Sequence, residues 1–512
     1  MDRFITSTGL STNDGLTELT AWSLEHAVTQ DIYPDRYVMK SGDYGNKQVT
    51  IDIPNTKIIG YQTTPDDIVS SEGSTYVYPA ALNVTDLPTI TGDNQINTTA
   101  FNITASNVQI ENIQFQSVDN PIFCSGFKSR FKNIIIHTIG TINHAGSEFN
   151  FYDGRGVDIR GDKTIIENCT VVNAASEGIK IVDANDGIIR YCKVYSDIPE
   201  AQDGTDYYIQ ILRGDNNLVE YCHVEKAAND SEVGRHGFVI KWAGTGNIIR
   251  YNTTKRLNIE AQFVAVTGNY FVNNILDGDY ASSGDLAARA RIANGAHHNY
   301  FIGNRYKDCY AGVSFADWDD GATADTSLET GAGNDNYSIN EVFENVENVI
   351  FFDPFSDLGD AVDNYIINPT IVNCTNLFRT FATTRNSGTK VINALIHNTP
   401  NFAFDNDSSN LNTNTQFENI VLSNSFNANL LTGFLESNIE EAVVVFVDAV
   451  NGDYTPTTDI FNTGQDASLI ISEAKKDIND KLRIHYTLGA FNQGESLSNS
   501  DWSGNEWVKF LI

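Results

Sequence analysis

The feature that most constrains this chain is an internal repeat. Written one under another, KTIIENCTV from Lys163, DGIIRYCKV from Asp186, NNLVEYCHV from Asn216 and GNIIRYNTT from Gly246 follow one pattern. Each has a turn residue, a pair of aliphatic residues, a charged residue, Tyr or Asn, and then Cys or Asn. The steps between them are 23, 30 and 30 residues. The series runs on as GNYFVNNIL from Gly268 and HNYFIGNRY from His298, and returns near Asn336, Asn364 and Lys390. Upstream, NVQIENIQF from Asn107 and SRFKNIIIH from Ser129 share its register. A period of 22 to 30 residues built from short β-rich runs, without helical spacing, predicts an all-β chain folded as a right-handed parallel β-helix. No coil can bury its own apolar face, so coils stack, at about 4.8 Å each, around one core.

Stacking also accounts for the cysteines. Cys169, Cys192 and Cys222 occupy one slot in successive coils, and Asn252, Asn274 and Asn304 follow in that slot. Like residues in a column are what this geometry produces, with amides bonding from coil to coil, so the expectation is a structural ladder without disulfides. Six cysteines in 512 residues are too few for a disulfide scaffold, and no CxxC pair suggests zinc. The expected organisation is an N-terminal cap and first strand over 1–44, the β-helix over 45–447 and a small closing segment over 448–512. At ~25 residues per coil, that is roughly sixteen coils and a rod of about 70 Å. TELTAWSLEHAV, from Thr17 to Val28, reads as a short amphipathic helix capping the open end of the core. SLIISEAKKDIND reads as a helical stretch in the closing segment.

Charge limits the partners. With 66 acidic against 33 basic residues the formal charge is −33, which argues against nucleic acid. No apolar run approaches the ~20 residues needed to span a bilayer. MDRFITSTGLSTNDG has no charged start followed by an apolar stretch. A secreted or periplasmic location would therefore involve a removed leader, and a virion protein would need none.

Basic residues are unevenly spread. Residues 155–256 hold 13 of the 33 Lys and Arg, where an even spread would give about 7, among them Arg155, Arg160, Lys180, Arg190, Arg213, Arg235, Lys241, Lys255 and Arg256. One relatively basic stretch on an acidic rod suits a polyanion-binding groove. Chance and solvated outward positions are the plainer reading.

Two segments carry a resemblance. STNDGLTELTAWSLEHAV with GDYGNKQVTIDIPNTKIIGYQTTPDD resembles the first coil of β-helix carbohydrate-active proteins. DINDKLRIHYTLGAFNQ, with Arg483 and the run Leu488 to Phe491, resembles their closing segment. The middle of the chain looks most like polysaccharide lyases, including alginate lyases, which place a Lys on a strand before an N-x-[IV]-R-x-N-T turn. Lys241 in HGFVIKWAGTGNIIRYNTT matches that pattern. The better-known alginate and chondroitin branch, which uses calcium, commonly has a second basic residue one coil later. Here that coil reads QFVAVTGN near Val266, without Arg or Lys.

The resemblance implies β-elimination on a uronic-acid polymer. That chemistry needs a base for the C5 proton, an acid for the leaving oxygen and a group that neutralises the carboxylate. Lys241 follows Phe238-Val239-Ile240 and precedes Trp242. Strict alignment would set it inward beneath Ile181 and Ile211, so a one-residue slip that turns it outward is expected, because a buried unpaired Lys is costly. Lys241, His236 and Tyr208 are the candidate catalytic residues. Arg213, Arg235, Arg256, Tyr207 and Trp242 are candidates for holding substrate. For each there is an ordinary alternative: a Lys stem lying over Trp242, a turn-capping His236, stacked tyrosines.

Two other readings stay open. Asp203 or Asp206, with Glu177 or Asp183, could serve a β-helix glycoside hydrolase. Asp317, Asp319, Asp320 and Asp325, in DWDDGATADT, could attract calcium but lack a bidentate Glu at the right spacing. A solvated loop is the simpler account, and no cofactor or resident metal is expected. The expected partner is an anionic polysaccharide, bound by a monomer if the chain is a secreted enzyme. A tailspike-type virion protein that binds or depolymerises glycans would be a homotrimer.

Overall fold

The computed structural model describes the chain from Met1 to Thr457 apart from residues 31–33, 69–85, 94–97, 140–153, 198–204, 227–235, 280–287, 317–330, 353–360, 381–385, 402–411, 414–415, 425–434, 442 and 452. The expected closing segment beyond 457, Arg235, Asp203 and the acidic loop from Asp317 to Asp325 lie outside the described residues.

The chain is a right-handed parallel β-helix. A typical coil runs Glu177–Val182, Ile188–Arg190, Lys193–Tyr195, and then returns to Tyr207–Leu212 directly above its start. The first strand of each coil joins a twelve-stranded parallel sheet in chain order, from Val49–Ile51 to Asn376–Thr380. The second strands form a ladder of sixteen, from Arg3–Ile5 to Leu435–Glu441. The third strands form a parallel ladder beside it. In the second ladder the middle residue of each triplet faces the core, as Ile166, Ile189, Val219, Ile249 and Phe271 do, and the residues on either side of it, such as Ile188 and Arg190, lie on the opposite face.

The N-terminus differs from expectation in detail. Arg3–Ile5 pairs with Tyr37–Lys40, so the stack begins inside the first 44 residues. The expected single helix is broken into a 3-10 turn, Glu18–Thr20, and a five-residue helix, Leu24–Val28. Between them Ala21 is extended, Trp22 pairs with Ile5, and the Trp22 indole donates to the Asn13 carbonyl at 2.6 Å. Leu24, Ala27 and Val28 still cover the end of the core.

All six cysteines are buried and none is in a disulfide. The Cys-to-Asn column forms as expected. The Cys222 N–H donates to Asn252 Oδ1 at 2.8 Å, Asn252 donates to Asn274 at 3.1 Å, and Asn274 to Asn304 at 3.0 Å. The column ends on Glu341, whose Oε1 accepts from Asn304 at 3.0 Å. A second column, Asn217, Asn247, Asn269, Asn299, Asn336 and Asn364, turns the chain between the twelve-stranded sheet and the next ladder, with amide bonds of 2.9–3.2 Å. These amides satisfy bend groups that would otherwise be buried without partners.

The bend between the second and third ladders carries a backbone demand. Its first residue is left-handed in every coil from Asn112 to Asn419, with φ between +52° and +65°. Asn fills it in eight coils and Gly303 in one, as the conformation prefers. In three successive coils it is Tyr191, Tyr221 and Tyr251, with φ of +56°, +54° and +55°. Their rings stack at 5.3 Å between centroids. A left-handed bulky residue costs ~1–2 kcal/mol, whereas each aromatic pair returns ~0.5–1.5 kcal/mol. Three strained positions against two stacks leave the fold no net gain from these tyrosines.

Candidate active site

Within the coils of Tyr191, Tyr221 and Tyr251, only two residues separate the second ladder from the third. The larger gaps in sequence fall instead between the third ladder and the twelve-stranded sheet: Lys193–Tyr195 is followed by Tyr207–Leu212, and His223–Glu225 by His236–Thr245. Inserted chain at one edge of a rigid scaffold is where sites are built.

The outer face of that sheet carries its ionisable groups in columns. One runs Arg155, Glu177, Tyr207, His236, Asn258, and another runs Asp158, Lys180, Gln210, Val239, Glu260, Arg291. A third runs Val182, Leu212, Lys241, Gln262. Ile240 continues the inward column of Ile181 and Ile211, so Lys241 faces out, as the expected slip requires. The coil step here is 29 residues rather than 30, because Tyr207 lies over His236.

At the centre, Lys241 Nζ donates to the Tyr207 hydroxyl at 2.6 Å. The Tyr207 ring stacks on His236 at 4.3 Å and 3°. His236 Nδ1 lies 2.8 Å from Glu260 Oε2, and its Nε2 lies 4.0 Å from Asp206. Glu260, fully buried, also accepts from Arg291 at 2.9 Å, from Asn258 at 2.8 Å and from Gln262. Burial alone would raise the Glu260 pKa, but Arg291 and then His236 outweigh it and hold it at about 2. His236 Nδ1 thus faces the Glu260 carboxylate at 2.8 Å, with Arg291 and Gln262 nitrogens at 3.3 and 3.4 Å, while Nε2 points away from Glu260 towards Asp206. Burial, reinforced by the Asp206 and Glu260 carboxylates, pushes the Tyr207 phenol well above its ordinary value. Burial likewise raises Asp206, against the pull of His236 and Lys241.

After Lys241 the strand bulges, so that Trp242 and Phe263 take φ of +70° and +82° and stack at 4.3 Å. Bulges of this kind re-aim side chains beside sites. Lys241 Nζ lies 5.8 Å from the Phe263 ring centre. In the two coils before that of Tyr207, Arg155 forms ion pairs with Glu177 and Asp158, each at 2.6 Å, and Lys180 pairs with Glu177, all buried.

Sequence reasoning is corrected at Tyr208. It lies in the core, in the slot of Gly178, where an added Cβ would meet Val194 at 2.5 Å. Its neighbour Tyr207 reaches the site instead. Simple alternation fails because the strand enters through a corner, where residues 208 and 209 both face inward. Arg256 turns the chain into the sheet, but its guanidinium is tied to the Lys226 carbonyl, Glu225 and Asp279. Arg213 stands one coil before Trp242 at the sheet's edge, paired with Asp183 at 2.7 Å. Much of the basic stretch is local pairing off this face: Arg190 with Glu167, Arg250 with Glu220, and Lys255 with Glu225. For the hydrolase reading, Glu177 is engaged by Arg155 and Lys180, and Asp183 by Arg213, so among the described members of that set Asp206 is the one beside His236. Glu260, Gln262 and Arg291 were missed. Their only sequence signal was their register one and two coils beyond His236 and Lys241.

No protein-family model and no curated protein matches the chain. Among solved structures, an alginate lyase, AlyF-OU02, aligns at TM-score 0.52 and 12% identity over 86% of this chain and 88% of that one. The likeness is one of fold, a right-handed parallel β-helix. A PL6 family alginate lyase, AlyGC, aligns at TM-score 0.49 and 12% identity over 90% of this chain and 56% of that one. The catalytic domain of a GH87 alpha-1,3-glucanase aligns at 0.37 and 13% over 81% and 67%. In this chain the residue facing Lys241 one coil on is Gln262. Among the described residues no group of three His, Cys, Asp or Glu could hold a metal. Glu260, surrounded by donors, does not fit as a cation ligand.

Proposed function

We propose that the chain is a polysaccharide lyase that cleaves a uronic-acid-containing, alginate-like polymer by β-elimination, with Lys241, Tyr207 and His236 as its catalytic residues. The observation that carries this reading is the Lys241–Tyr207 hydrogen bond of 2.6 Å stacked against a His236 whose Nδ1 faces Glu260. His236 Nε2 takes the C5 proton. Tyr207, kept protonated by burial, gives its proton to the leaving glycosidic oxygen, and Lys241 replaces that proton through their hydrogen bond. The C–O bond breaks as the C4–C5 double bond forms, and solvent then returns the proton balance of His236 and Lys241. Lys241 and Arg291 supply positive charge where the carboxylate of the substrate becomes an enolate, while Trp242 and Arg213 border the sugar track.

A hydrolase would draw on Asp206 and Glu260, whose environments push them in opposite directions. The His236 ring stands between them, where a sugar would have to lie, which favours elimination.

The test is incubation with a panel of uronans and neutral glycans. Lyase action gives new chain ends that absorb in the ultraviolet through the new double bond. New reducing ends without that absorbance would replace the lyase reading with hydrolysis. A Lys241→Ala variant that keeps the activity would remove Lys241 from the mechanism.

A further inference from the structure

A second ordered array of side chains lies away from the sheet of Lys241. Tyr191, Tyr221 and Tyr251 follow one another along the rod axis at a centroid spacing of 5.3 Å, and Tyr191 and Tyr221 are 45% and 43% exposed. They stand in a left-handed bend position that the other nine coils from Asn112 to Asn419 give to Asn or Gly. Stacking does not offset the strain, as shown above, so the fold itself does not call for them. Residues held in sparsely populated backbone conformations cluster at functional sites.

Their place in the rod narrows that function. Tyr191 belongs to the coil of Glu177 and Lys180, Tyr221 to that of Tyr207, and Tyr251 to that of His236 and Lys241. The strained tyrosines thus occupy the same three coils as the candidate catalytic groups, at a different edge of the helix. Beside them the charges are already paired, Arg190 with Glu167 and Arg250 with Glu220. The surface therefore offers phenol edges and hydroxyls at a regular step rather than net charge. Such an array suits a ligand that is itself a repeat running parallel to the rod.

We propose that Tyr191, Tyr221 and Tyr251 form an auxiliary docking strip for an extended polysaccharide chain. The strip holds a long polymer beside the enzyme at the level of its catalytic coils. Recognition is through ring edges and hydroxyls along the sugar backbone, so it tolerates differences in the uronate.

The test uses the variant Tyr191→Asn/Tyr221→Asn/Tyr251→Asn, which gives these coils the residue their neighbours use. Wild type and variant are run through native gels containing alginate, polygalacturonate, hyaluronan or a neutral β-glucan, and retardation is converted to affinity. The expected result is a loss of at least ten-fold in affinity for one or more polymers, with a thermal midpoint equal to or above that of wild type. Equal retardation of the two proteins, or no retardation of wild type by any polymer, overturns the proposal. So does a variant that melts well below wild type, which would make the strip structural. Retardation does not require turnover, so this result stands apart from the lyase assay.

Discussion

Glu341 gives the sharpest stability prediction. It closes the Cys-to-Asn column where every earlier coil has a neutral side chain, and it lies fully buried beside Asn304 and Tyr306. Burial is the main cause that pushes its pKa from 4.5 to about 8. In the unfolded chain Glu341 ionises near 4.5, whereas the folded chain holds the proton up to about 8. The stability tied to that proton is therefore whole below 4.5 and is lost as pH rises to 8, at about 1.4 kcal/mol per unit. The loss is about 3 kcal/mol at pH 7 and about 5 kcal/mol at pH 8 and above. Glu341→Gln keeps an acceptor for Asn304 and carries no such proton. For 512 residues the unfolding entropy is on the order of 1 kcal/mol per kelvin. The variant should thus match wild type in melting temperature near pH 4.5, exceed it by about 3 °C at pH 7 and by about 5 °C at pH 9. Calorimetry of both proteins across pH at one scan rate measures the gap. A gap that stays constant with pH would refute the reasoning, because it would mean that Glu341 carries the same charge folded and unfolded.

Glu260 has the opposite sign: its folded value of about 2 lies below the ordinary 4.5, so its stabilisation is present above 4.5 and lost as pH falls towards 2. Glu260→Gln should lower stability by about 3–5 kcal/mol at pH 7, because Arg291 loses its buried counter-charge; urea titration checks it, and the deficit should shrink at low pH. Asn274→Ala removes the links to Asn252 and Asn304 and should cost about 1–3 kcal/mol in the same titration. All six buried thiols should resist a water-soluble thiol reagent in the native state and react fully on unfolding.

The fold was legible because the core-facing aliphatic residues and the bend residues recur together in every coil. The slip at Lys241 was legible too, since an unpaired Lys cannot take the inward slot of Ile211. Tyr207 and Tyr208 were not separable from sequence: alternation with Ile209 and Ile211 points the wrong way at a strand corner. The surplus of basic residues between Arg155 and Arg256 pointed to a groove, yet Arg190, Arg250 and Lys255 answer acids on the neighbouring coils. Pairing across coils depends on register, which spacing alone leaves open by a residue. Glu260 and Arg291 escaped notice for the same reason, since their meaning lies in standing beside His236.

The most direct test of the account compares Tyr207→Phe with Tyr208→Phe on whichever uronan the enzyme cleaves, following kcat by ultraviolet absorbance. Tyr207→Phe removes the proton donor and should lower kcat by about 10²–10⁴-fold with the melting temperature little changed. Tyr208→Phe, a core substitution, should keep kcat within a few-fold. Equal kcat in the two variants, or a loss confined to Tyr208→Phe, would contradict the assignment of the outer face of the twelve-stranded sheet as the active site.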